Sequence, residues 1–399
     1  MKYVIVIPDG MADLPLTELS GKTPLETANK PNMDYLASKG IIGKVKNIPV
    51  GMEPGTDVAV LSVLGYEPDQ CYSGRGPLEA ASMNIELEKN EVAFRCNLVT
   101  VKDDIMLDYS AGHISTQEAK ILIKMLEEKL GSNKIKFYPG IGYRHLLISS
   151  ILSEKARCTP PHDILGKPIK DFLPAGETQK IINRLMEDSK FLLEGHEINR
   201  DRRTEGKNPA NMIWIWGGGR KPQLKTFKER FNITGSVISA VDVVKGIAKY
   251  AGLDVVNVPG ATGYYDTDYK AKGEYALKIL SRKDFCLVHI ESTDEASHNG
   301  DINEKIKAIS EIDEKVIGTI LNGLKDEDYR IMVVADHPTL ISTRTHSAEY
   351  VPFVIYSSVQ GDYADLKTEE NITSFSEVSV DKSKLRFEKG KDLIEFFIK

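Results

Sequence analysis

The stretch Tyr3-Val4-Ile5-Val6-Ile7-Pro8-Asp9-Gly10 opens the sequence with a continuous apolar run. A continuous run, rather than an alternating one, is typical of a strand that is buried on both faces of a parallel sheet. Pro8 and Gly10 end the run and leave Asp9 in a loop directly after it. The sequence therefore predicts a buried strand whose carboxyl end carries an acidic group.

The same arrangement occurs twice more towards the end of the chain. The mainly apolar residues 285–290, which include His289, lead into Glu291 and Asp294, and the apolar residues 331–335 lead into Asp336-His337. In open sheets with parallel strands, ligands bind at the carboxyl ends of the strands. Three strands are therefore predicted to deliver carboxylate and imidazole groups to one edge of a sheet.

Amphipathic segments lie between these strands, for example residues 303–324, where apolar side chains recur at helical spacing. Strands that alternate with such helices predict an α/β sandwich around a mainly parallel sheet. In the middle of the chain the pattern changes, with a predicted helix over 116–130 and a predicted strand over 144–149.

The length of the chain and the change of sequence pattern in its middle together predict two domains. A chain of 399 residues is too long for one ordinary hydrophobic core. We expect residues 1–80 and 235–399 to form one discontinuous domain, and residues 81–234 to form a smaller α+β domain that is inserted into it.

The composition excludes several classes of function. The formal net charge of −6 disfavours nucleic acid as a partner, because phosphate backbones are bound by clustered Lys and Arg. No segment approaches the ~20 apolar residues that span a bilayer, so we expect a cytoplasmic protein without a membrane partner. The four cysteines are far apart and form no C-x-x-C pair, which favours reduced thiols over disulfides or a cysteine zinc site.

Asp294 and His298 are separated by four residues, so on a helical turn they would face the same way and could bind one cation. Such a pair is more often a solvated one. The metal hypothesis gains weight because Asp9, Asp336-His337 and His346 also follow or flank predicted strand ends. Carboxylate and imidazole together suit Mn²⁺, Zn²⁺ or Mg²⁺.

Thr56 follows Gly55 and opens an apolar helical stretch. A hydroxyl at that position lies beside the unpaired N–H groups of a helix, where a phosphate is favoured. The simpler alternative is that Thr56 is an N-cap. If a divalent cation lies beside Thr56, the cation can activate its hydroxyl as a nucleophile.

These motifs resemble the alkaline phosphatase superfamily and, within it, the cofactor-independent phosphoglycerate mutases of the archaeal type. The resemblance runs the whole length of the chain. The motifs that carry it are Pro8–Asp13, Gly55–Asp57, Leu64–Tyr66, Gly74–Ala81, Tyr143–His145, Asp242–Ile247, Asp294–His298, Ala335–His337 and Thr345–Ser347.

The resemblance implies an alkaline phosphatase-like three-layer sandwich and a site for two divalent ions. Manganese is the expected metal, with zinc, magnesium or cobalt as alternatives. By this resemblance one ion is held by Asp294, His298 and His346, and the other by Asp9, Thr56, Asp336 and His337.

The implied reaction is the interconversion of 3-phosphoglycerate and 2-phosphoglycerate, with Thr56 as the residue that is phosphorylated. Many members of the family have serine at this position. The inserted domain would act as a lid that excludes water from the phosphorylated enzyme. The expected partner is a small phosphorylated substrate, and the sequence does not indicate an oligomeric state.

The remaining roles also come from the resemblance. Lys245 matches the family's phosphate-contacting lysine, and Arg144 is the expected arginine clamp from the insertion. His162 and Asp163 form a candidate acid/base pair, and His113 is expected to line the cleft.

Two alternatives remain open at the level of sequence. One is a homoserine kinase-like or other phosphotransferase on the same scaffold, although no Gly-x-x-x-x-Gly-Lys-Ser/Thr loop is present. The other is a non-catalytic metal-binding protein.

Overall fold

A computed structural model describes residues 1–366 and 372–399 of the chain. The strands are β1 Lys2–Pro8, β2 Ile41–Val45, β3 Val92–Lys102, β4 Ile105–Asp108, β5 Ile135–Ile141, β6 Arg144–Ser149, β7 Met212–Gly219, β8 Gly235–Ile238, β9 Asp254–Val256, β10 Phe285–Ile290, β11 Tyr329–Val334, β12 Thr339–Leu340, β13 Thr345–His346, β14 Val351–Ser357 and β15 Arg386–Phe387.

The α-helices are α1 Pro24–Thr27, α2 Pro31–Lys39, α3 Thr56–Val63, α4 Pro68–Cys71, α5 Arg75–Ser82, α6 Thr116–Leu130, α7 Gln179–Glu194, α8 Glu197–Thr204, α9 Phe227–Phe231, α10 Asp242–Tyr250, α11 Tyr269–Leu280, α12 Ser292–Asn299, α13 Ile302–Glu311, α14 Gly318–Gly323, α15 Glu377–Asp381 and α16 Gly390–Ile398. A π-helix, Ile312–Ile317, joins α13 to α14. Short 3₁₀ turns cover Thr17–Leu19, Pro161–Ile164, Ile169–Phe172 and Ala364–Leu366. None of the helices in the described parts of the chain is long and apolar enough to cross a membrane.

The chain forms two compact units, of which the first comprises Met1–Cys71 and Leu224–Lys399. Its sheet has eight strands in the order β15-β2-β14-β11-β1-β10-β8-β9. Only β14 runs against the others, since it pairs antiparallel with β11 and β2 while the remaining pairs are parallel. The predicted mainly parallel sheet is confirmed.

Two groups of helices accompany this sheet. Helices α2, α11, α13 and α14 pack around the π-helix, whereas α10 and α16 both pack on α3. The predicted helix over 303–324 is therefore three segments, because the backbone widens to a π-helix at Ile312 before it returns to α-helix at Gly318. Asp313 in the widened turn accepts hydrogen bonds from the backbone N–H groups of Asn32 and Met33, at the start of α2.

The centre of the sheet explains why β1 is an uninterrupted apolar run. Val4, Ile5, Val6 and Ile7 are all fully buried, so both faces of the strand are covered. Burial of each such side chain stabilises the fold by about 1.5–3 kcal/mol relative to exposure. β1 lies between β11 and β10 and pairs parallel with both. The three strands that the sequence singled out are thus direct neighbours.

The second unit comprises Tyr72–Gln223 and contains an antiparallel sheet of five strands, β4-β3-β6-β5 with β7 also paired to β3. Helices α6 and α7 pack on this sheet, and their apolar faces share one core with β3 and β7. The predicted helix over 116–130 and the predicted strand over 144–149 both occur at those residues.

The boundaries of this second unit differ from the expected 81 and 234. Helix α5 belongs to it because α5 packs so closely on β3 that a Cβ at Gly76 would clash with the backbone of Ala93. At the other end, the ring of Phe227 in α9 lies 4.5 Å from that of Phe285 in β10, which ties α9 to the first unit. The change of sequence pattern does not locate either boundary, because packing rather than composition sets them.

Candidate metal and phosphotransfer site

The carboxyl ends of β1, β10 and β11 carry the acidic residues that the sequence singled out. Asp9 follows β1, Asp294 lies in the first turn of α12 after β10, and Asp336 follows β11. Gly10 allows this close approach, because its φ is +62° and a Cβ there would lie 2.6 Å from Asp294 Oδ1. The backbone N–H of Gly10 also donates to Asp336 Oδ1 at 3.0 Å.

Thr56 is the first residue of α3, and the N-cap position belongs to Gly55. The N-cap alternative for Thr56 is therefore wrong. Its hydroxyl instead points into the acidic cluster, where Oγ1 lies 3.3 Å from Asp9 Oδ2 and 3.4 Å from His337 Nε2. The hydroxyl therefore faces the acidic cluster and does not cap the helix.

One group of donors is formed by Asp294, His298 and His346. His298 Nε2 lies 3.2 Å from Asp294 Oδ2 and 3.0 Å from His346 Nε2, and His346 Nε2 lies 3.5 Å from Asp294 Oδ1. The i,i+4 spacing in α12 accounts for the first contact. The short β12–β13 hairpin accounts for the position of His346.

A second group surrounds Asp9. His337 Nε2 lies 3.5 Å from Asp9 Oδ1 and 3.3 Å from Asp336 Oδ2. Adjacent residues can both face one site here because the chain turns, and the His337 N–H donates to Asp336 Oδ1 at 2.9 Å. Asp9, Asp336 and His337 are all almost fully buried.

Both imidazoles of the group around Asp294 are anchored through Nδ1. In His298 this atom bonds the carbonyl of Arg344 at 2.9 Å, and in His346 it bonds the carbonyl of Pro54 at 3.2 Å. Carbonyl oxygens only accept, so each Nδ1 carries a proton, and Nε2 is the ring atom that faces Asp294. Metal-ligating histidines are held in this way.

The charges of the cluster are not balanced by its own residues. Burial, together with the nearby carboxylates of Asp336 and Asp294, raises the pKa of Asp9 well above its usual value. Burial acts in the same direction on Asp294, but hydrogen bonds from His298 and His346 hold its pKa well below the usual range. The hydrogen bond to Asp294 raises the pKa of His298 to about 9. Positive charge is therefore favoured at this place.

The donors fit divalent cations. There are two sets of three ligand atoms, and within each set the atoms lie no more than 4.8 Å from one another. One set comes from Asp294, His337 and His346, and the other comes from Asp9, His289 and Asp336. Buried atoms without a hydrogen-bond partner include Asp9 Oδ1 and Asp336 Oδ2. Such orphaned carboxylate oxygens are costly unless a cation satisfies them.

The structure adds His289 and Glu291 to the residues named from the sequence. His289 Nε2 lies 3.3 Å from Asp9 Oδ2, and its Nδ1 lies 3.0 Å from Glu291 Oε1. Burial alone would lower the pKa of His289, but the carboxylates on either side raise it to about 10. A histidine and a glutamate two positions apart at the end of an apolar strand share one face, and this signal was available in the sequence.

Lys272 and Thr339 were also missed. Lys272 is fully buried and pairs with Glu291 at 3.3 Å, which lowers the pKa of Glu291 to about 2 against the effect of burial. The hydroxyl of Thr339 donates to Asp294 Oδ1 at 2.5 Å and lies 3.2 Å from His337 Nδ1, so it links two donors. Neither residue has a pattern in the sequence that predicts these contacts.

Lys245 lies in the first unit. Among the described residues, no hydrogen bond or ion pair joins its side chain to the cluster. It is located in α10 and pairs with Asp242 at 3.6 Å. Helix α10 follows β8, a neighbour of β10 in the sheet, so it begins at the same edge of the sheet as the cluster.

In the second unit, His162 and Asp163 lie in a 3₁₀ turn and are 3.7 Å apart, with both side chains substantially exposed. The ring of His162 packs edge-on against Trp216, and the guanidinium of Arg95 lies 4.3 Å from the centroid of the same indole. Arg144 begins β6 and lies over the ring of Tyr143 at 5.8 Å.

Arginine charges converge around this turn. Burial lowers the pKa of His162, and Arg75 and Arg95 lower it further, while Asp163 opposes them. Burial lowers the pKa of Arg95, and the positive charge of Arg144 also lowers it. His113, in contrast, is an exposed residue of a left-handed turn with φ +48°, and its N–H bonds Ser110 Oγ.

A family model described as 2,3-bisphosphoglycerate-independent phosphoglycerate mutase matches residues 37–199, and one described as type I phosphodiesterase / nucleotide pyrophosphatase matches residues 192–347. A 2,3-bisphosphoglycerate-independent phosphoglycerate mutase of Methanosarcina barkeri is 48% identical over 402 residues, which cover 100% of both chains. The chain belongs to this mutase family. As a phosphoglycerate mutase it is an isomerase.

Solved structures agree with this family. A protein from Pyrococcus horikoshii is 31% identical with a TM-score of 0.83, and the match covers 100% of this chain and 96% of that one. The cofactor-independent phosphoglycerate mutase from Thermoplasma acidophilum is 26% identical with a TM-score of 0.66, covering 100% and 99%. The expected alkaline phosphatase-like fold with an insertion is thus confirmed for this phosphoglycerate mutase.

Proposed function

We propose that this mutase interconverts 3-phosphoglycerate and 2-phosphoglycerate through a phosphothreonine at Thr56, in a site for two divalent cations. The observation that carries the proposal is the position of Thr56 Oγ1, 3.3 Å from Asp9 and 3.4 Å from His337. The hydroxyl is thereby surrounded by groups that can hold a cation beside it and accept its proton.

The residues that would hold the cations are those of the two donor groups. Asp294, His298 and His346 would hold one ion, and Asp9, Thr56, Asp336 and His337 would hold the other. When bound, the ions supply a lowered pKa for the Thr56 hydroxyl and neutralise phosphoryl oxygens in an in-line displacement. Mixed carboxylate and imidazole donors support Mn²⁺ as the ion, with Zn²⁺, Mg²⁺ or Co²⁺ as alternatives.

The chemical steps balance without an external phosphate donor. Thr56 Oγ attacks the phosphorus of 3-phosphoglycerate, the bond between phosphorus and the 3-oxygen breaks, and glycerate retains that oxygen as a hydroxyl after protonation. Glycerate then turns within the site, and its 2-hydroxyl attacks the phosphothreonine. The new bond to the 2-oxygen forms as the bond to Thr56 Oγ breaks, so the enzyme is regenerated.

The substrate groups that must be held are a carboxylate and a phosphoryl group. Arg144 in the inserted unit is proposed to bind the carboxylate, since a guanidinium can accept it through two parallel hydrogen bonds. Lys245 is proposed to contact the phosphoryl group, because α10 begins at the edge of the sheet where the cluster lies. His113 is also proposed to line the substrate site.

The hydroxyl proton of glycerate requires an acid/base group. His162 is proposed for this role with Asp163 as its partner, supported by their separation of 3.7 Å. The lowered pKa of His162 leaves the ring neutral near pH 7, which is the form that accepts a proton.

The deciding experiment is to trap the phosphorylated enzyme. Protein loaded with Mn²⁺ is mixed with 3-phosphoglycerate, quenched in acid and examined by mass spectrometry, with Thr56→Ala treated in parallel. A phosphoryl group on Thr56 in the native protein, together with loss of mutase turnover in Thr56→Ala, is the expected result. Native turnover by Thr56→Ala would contradict the proposal.

A parallel reaction with homoserine and ATP tests the kinase-like alternative. The family assignment favours the mutase, so no phosphohomoserine is expected. Turnover of homoserine with no turnover of 3-phosphoglycerate would reverse the order of the two candidates.

A further inference from the structure

We infer that His289 is a ligand of the cation that Asp9 and Asp336 hold. The inference rests on the proposed two-cation site and extends its set of ligands. His289 is the fifth residue of β10 and pairs in register with Ile7 of β1, two positions before Asp9. This register places the imidazole directly beside the Asp9 carboxylate.

Three unpaired atoms converge at this point. Asp9 Oδ1, Asp336 Oδ2 and His289 Nε2 are each buried, and each lacks a hydrogen-bond partner. They belong to three residues whose ligand atoms lie within 4.8 Å of one another. A fully buried polar atom without a partner is costly, and three of them around one point are satisfied together by one cation.

The other side of the imidazole fixes the required tautomer. His289 Nδ1 lies 3.0 Å from Glu291 Oε1, and the Glu291 carboxylate also accepts from Ser239 at 3.1 Å. An ionised carboxylate only accepts, so Nδ1 carries a proton, and Nε2 is the ring atom that is left to bind a cation in place of its own proton. A carboxylate behind the imidazole is the usual support of a metal-ligating histidine.

Lys272 keeps Glu291 ionised in a fully buried position. Its ammonium lies 3.3 Å from Glu291 Oε2 and 3.1 Å from the backbone oxygen of His289, and its side chain has no exposed surface. A buried ammonium and carboxylate are retained at the cost of desolvation. The pair, placed behind His289, holds the ring in the orientation that directs Nε2 towards Asp9 and Asp336.

The test is to delete Nε2 and retain the contact with Glu291. His289→Asn does this, since the asparagine amide can reach Glu291 as Nδ1 does but has no atom at the position of Nε2. Mn²⁺ binding to the full-length protein is measured by equilibrium dialysis, which gives stoichiometry and both affinities without reference to activity. We expect one Mn²⁺ to bind as in the native protein and the other to bind at least tenfold more weakly.

The matched control is His145→Asn. His145 is also fully buried, but it lies in the second unit, where its Nδ1 accepts from the Gly140 N–H at 3.0 Å. Both Mn²⁺ affinities should equal those of the native protein in this variant. Weakening of equal size in His145→Asn would show that loss of any buried imidazole is enough, and would overturn the inference.

The outcomes separate the inference from the function on which it rests. If the native protein binds two Mn²⁺ and His289→Asn binds both with native affinity, the role of His289 is overturned and the two-cation site stands. If the native protein binds fewer than two Mn²⁺, the two-cation site itself fails.

A second variant and a spectrum cover the case in which His289→Asn does not fold. In Glu291→Gln the Nδ1 contact is altered while His289 remains, and the same Mn²⁺ should bind about 10–100-fold more weakly. With Co²⁺ in place of Mn²⁺, the visible absorption of this variant should also differ from that of the native protein. Native affinity and an unchanged spectrum would overturn the inference.

Discussion

The Nε2 atoms of His298 and His346 lie 3.0 Å apart, although the two residues are 48 positions apart in the chain. Each ring has its Nδ1 bonded to a backbone carbonyl, of Arg344 and Pro54 respectively. With a proton already on each Nδ1, the space between the two Nε2 atoms holds one shared positive charge, either a proton on His298, whose pKa the hydrogen bond to Asp294 raises to about 9, or a cation. A cation that also contacts Asp294 would replace that proton and bind both Nε2 atoms.

The first prediction concerns the methyl group of Thr56. Thr56→Ser should keep kcat within about tenfold of the native value, because the nucleophilic hydroxyl remains. Thr56→Val, which keeps the shape but lacks the hydroxyl, should lower kcat at least about 10³-fold. A coupled assay for 2-phosphoglycerate measures both variants. Comparable rates in Thr56→Val and Thr56→Ser would remove Thr56 from the chemistry.

The second prediction concerns the cation held by Asp294. Asp294→Asn should reduce bound Mn²⁺ from two ions to one and lower kcat by about 10³-fold, since several kcal/mol of charge stabilisation are lost. Asp301→Asn is the control, because Asp301 is an exposed residue nearby that caps α13 and asparagine caps a helix equally well. Dialysis and the coupled assay are the measurements. Two bound ions in Asp294→Asn would speak against this ligand set.

The third prediction concerns the hydroxyl of Thr339, which links Asp294 to His337. Thr339→Val should weaken Mn²⁺ binding about 10–100-fold, because both donors lose the bond that orients them. Thr339→Ser retains the hydroxyl and should bind Mn²⁺ nearly as the native protein does. Equal affinities in Val and Ser variants would show that orientation by this hydroxyl is unimportant.

The fourth prediction is a pH dependence of stability in the second unit. Burial lowers the pKa of His145 to about 3, whereas the unfolded value is about 6.5. The stability that comes from keeping His145 neutral is thus fully present above pH ~6.5 and is lost as the pH falls towards ~3. Between about pH 6 and pH 4 this histidine alone should contribute a slope of about 1.4 kcal/mol per pH unit.

Urea unfolding followed by tryptophan fluorescence measures this slope. The chain has two tryptophans, Trp214 and Trp216, and both lie in β7, so the signal reports the second unit. Comparison of native protein with His145→Asn cancels the contribution of the carboxylates. The variant should lose the histidine slope, and parallel curves for the two proteins would refute the assignment.

The sequence anticipated much of the site because the site is built from strand ends. The apolar runs before Asp9 and Asp336 marked their strands correctly, and i,i+4 spacing marked Asp294 with His298. His289 was overlooked since it lies inside an apolar run and was read as part of the strand. Lys272 and Thr339 act through contacts that link distant parts of the chain, which local patterns do not encode.

The sequence by itself determined the three strands that carry the site, the mainly parallel sheet and the residues that stand at strand ends, because apolar periodicity is a local property of the chain. Only the tertiary structure decided that β1 lies between β10 and β11, that Thr56 faces Asp9 rather than caps α3, and that α5 belongs to the second unit. The physical reason is that strand order and helix packing follow from burial between separate segments of the chain. Distances of 3–4 Å between such segments have no signature in local sequence.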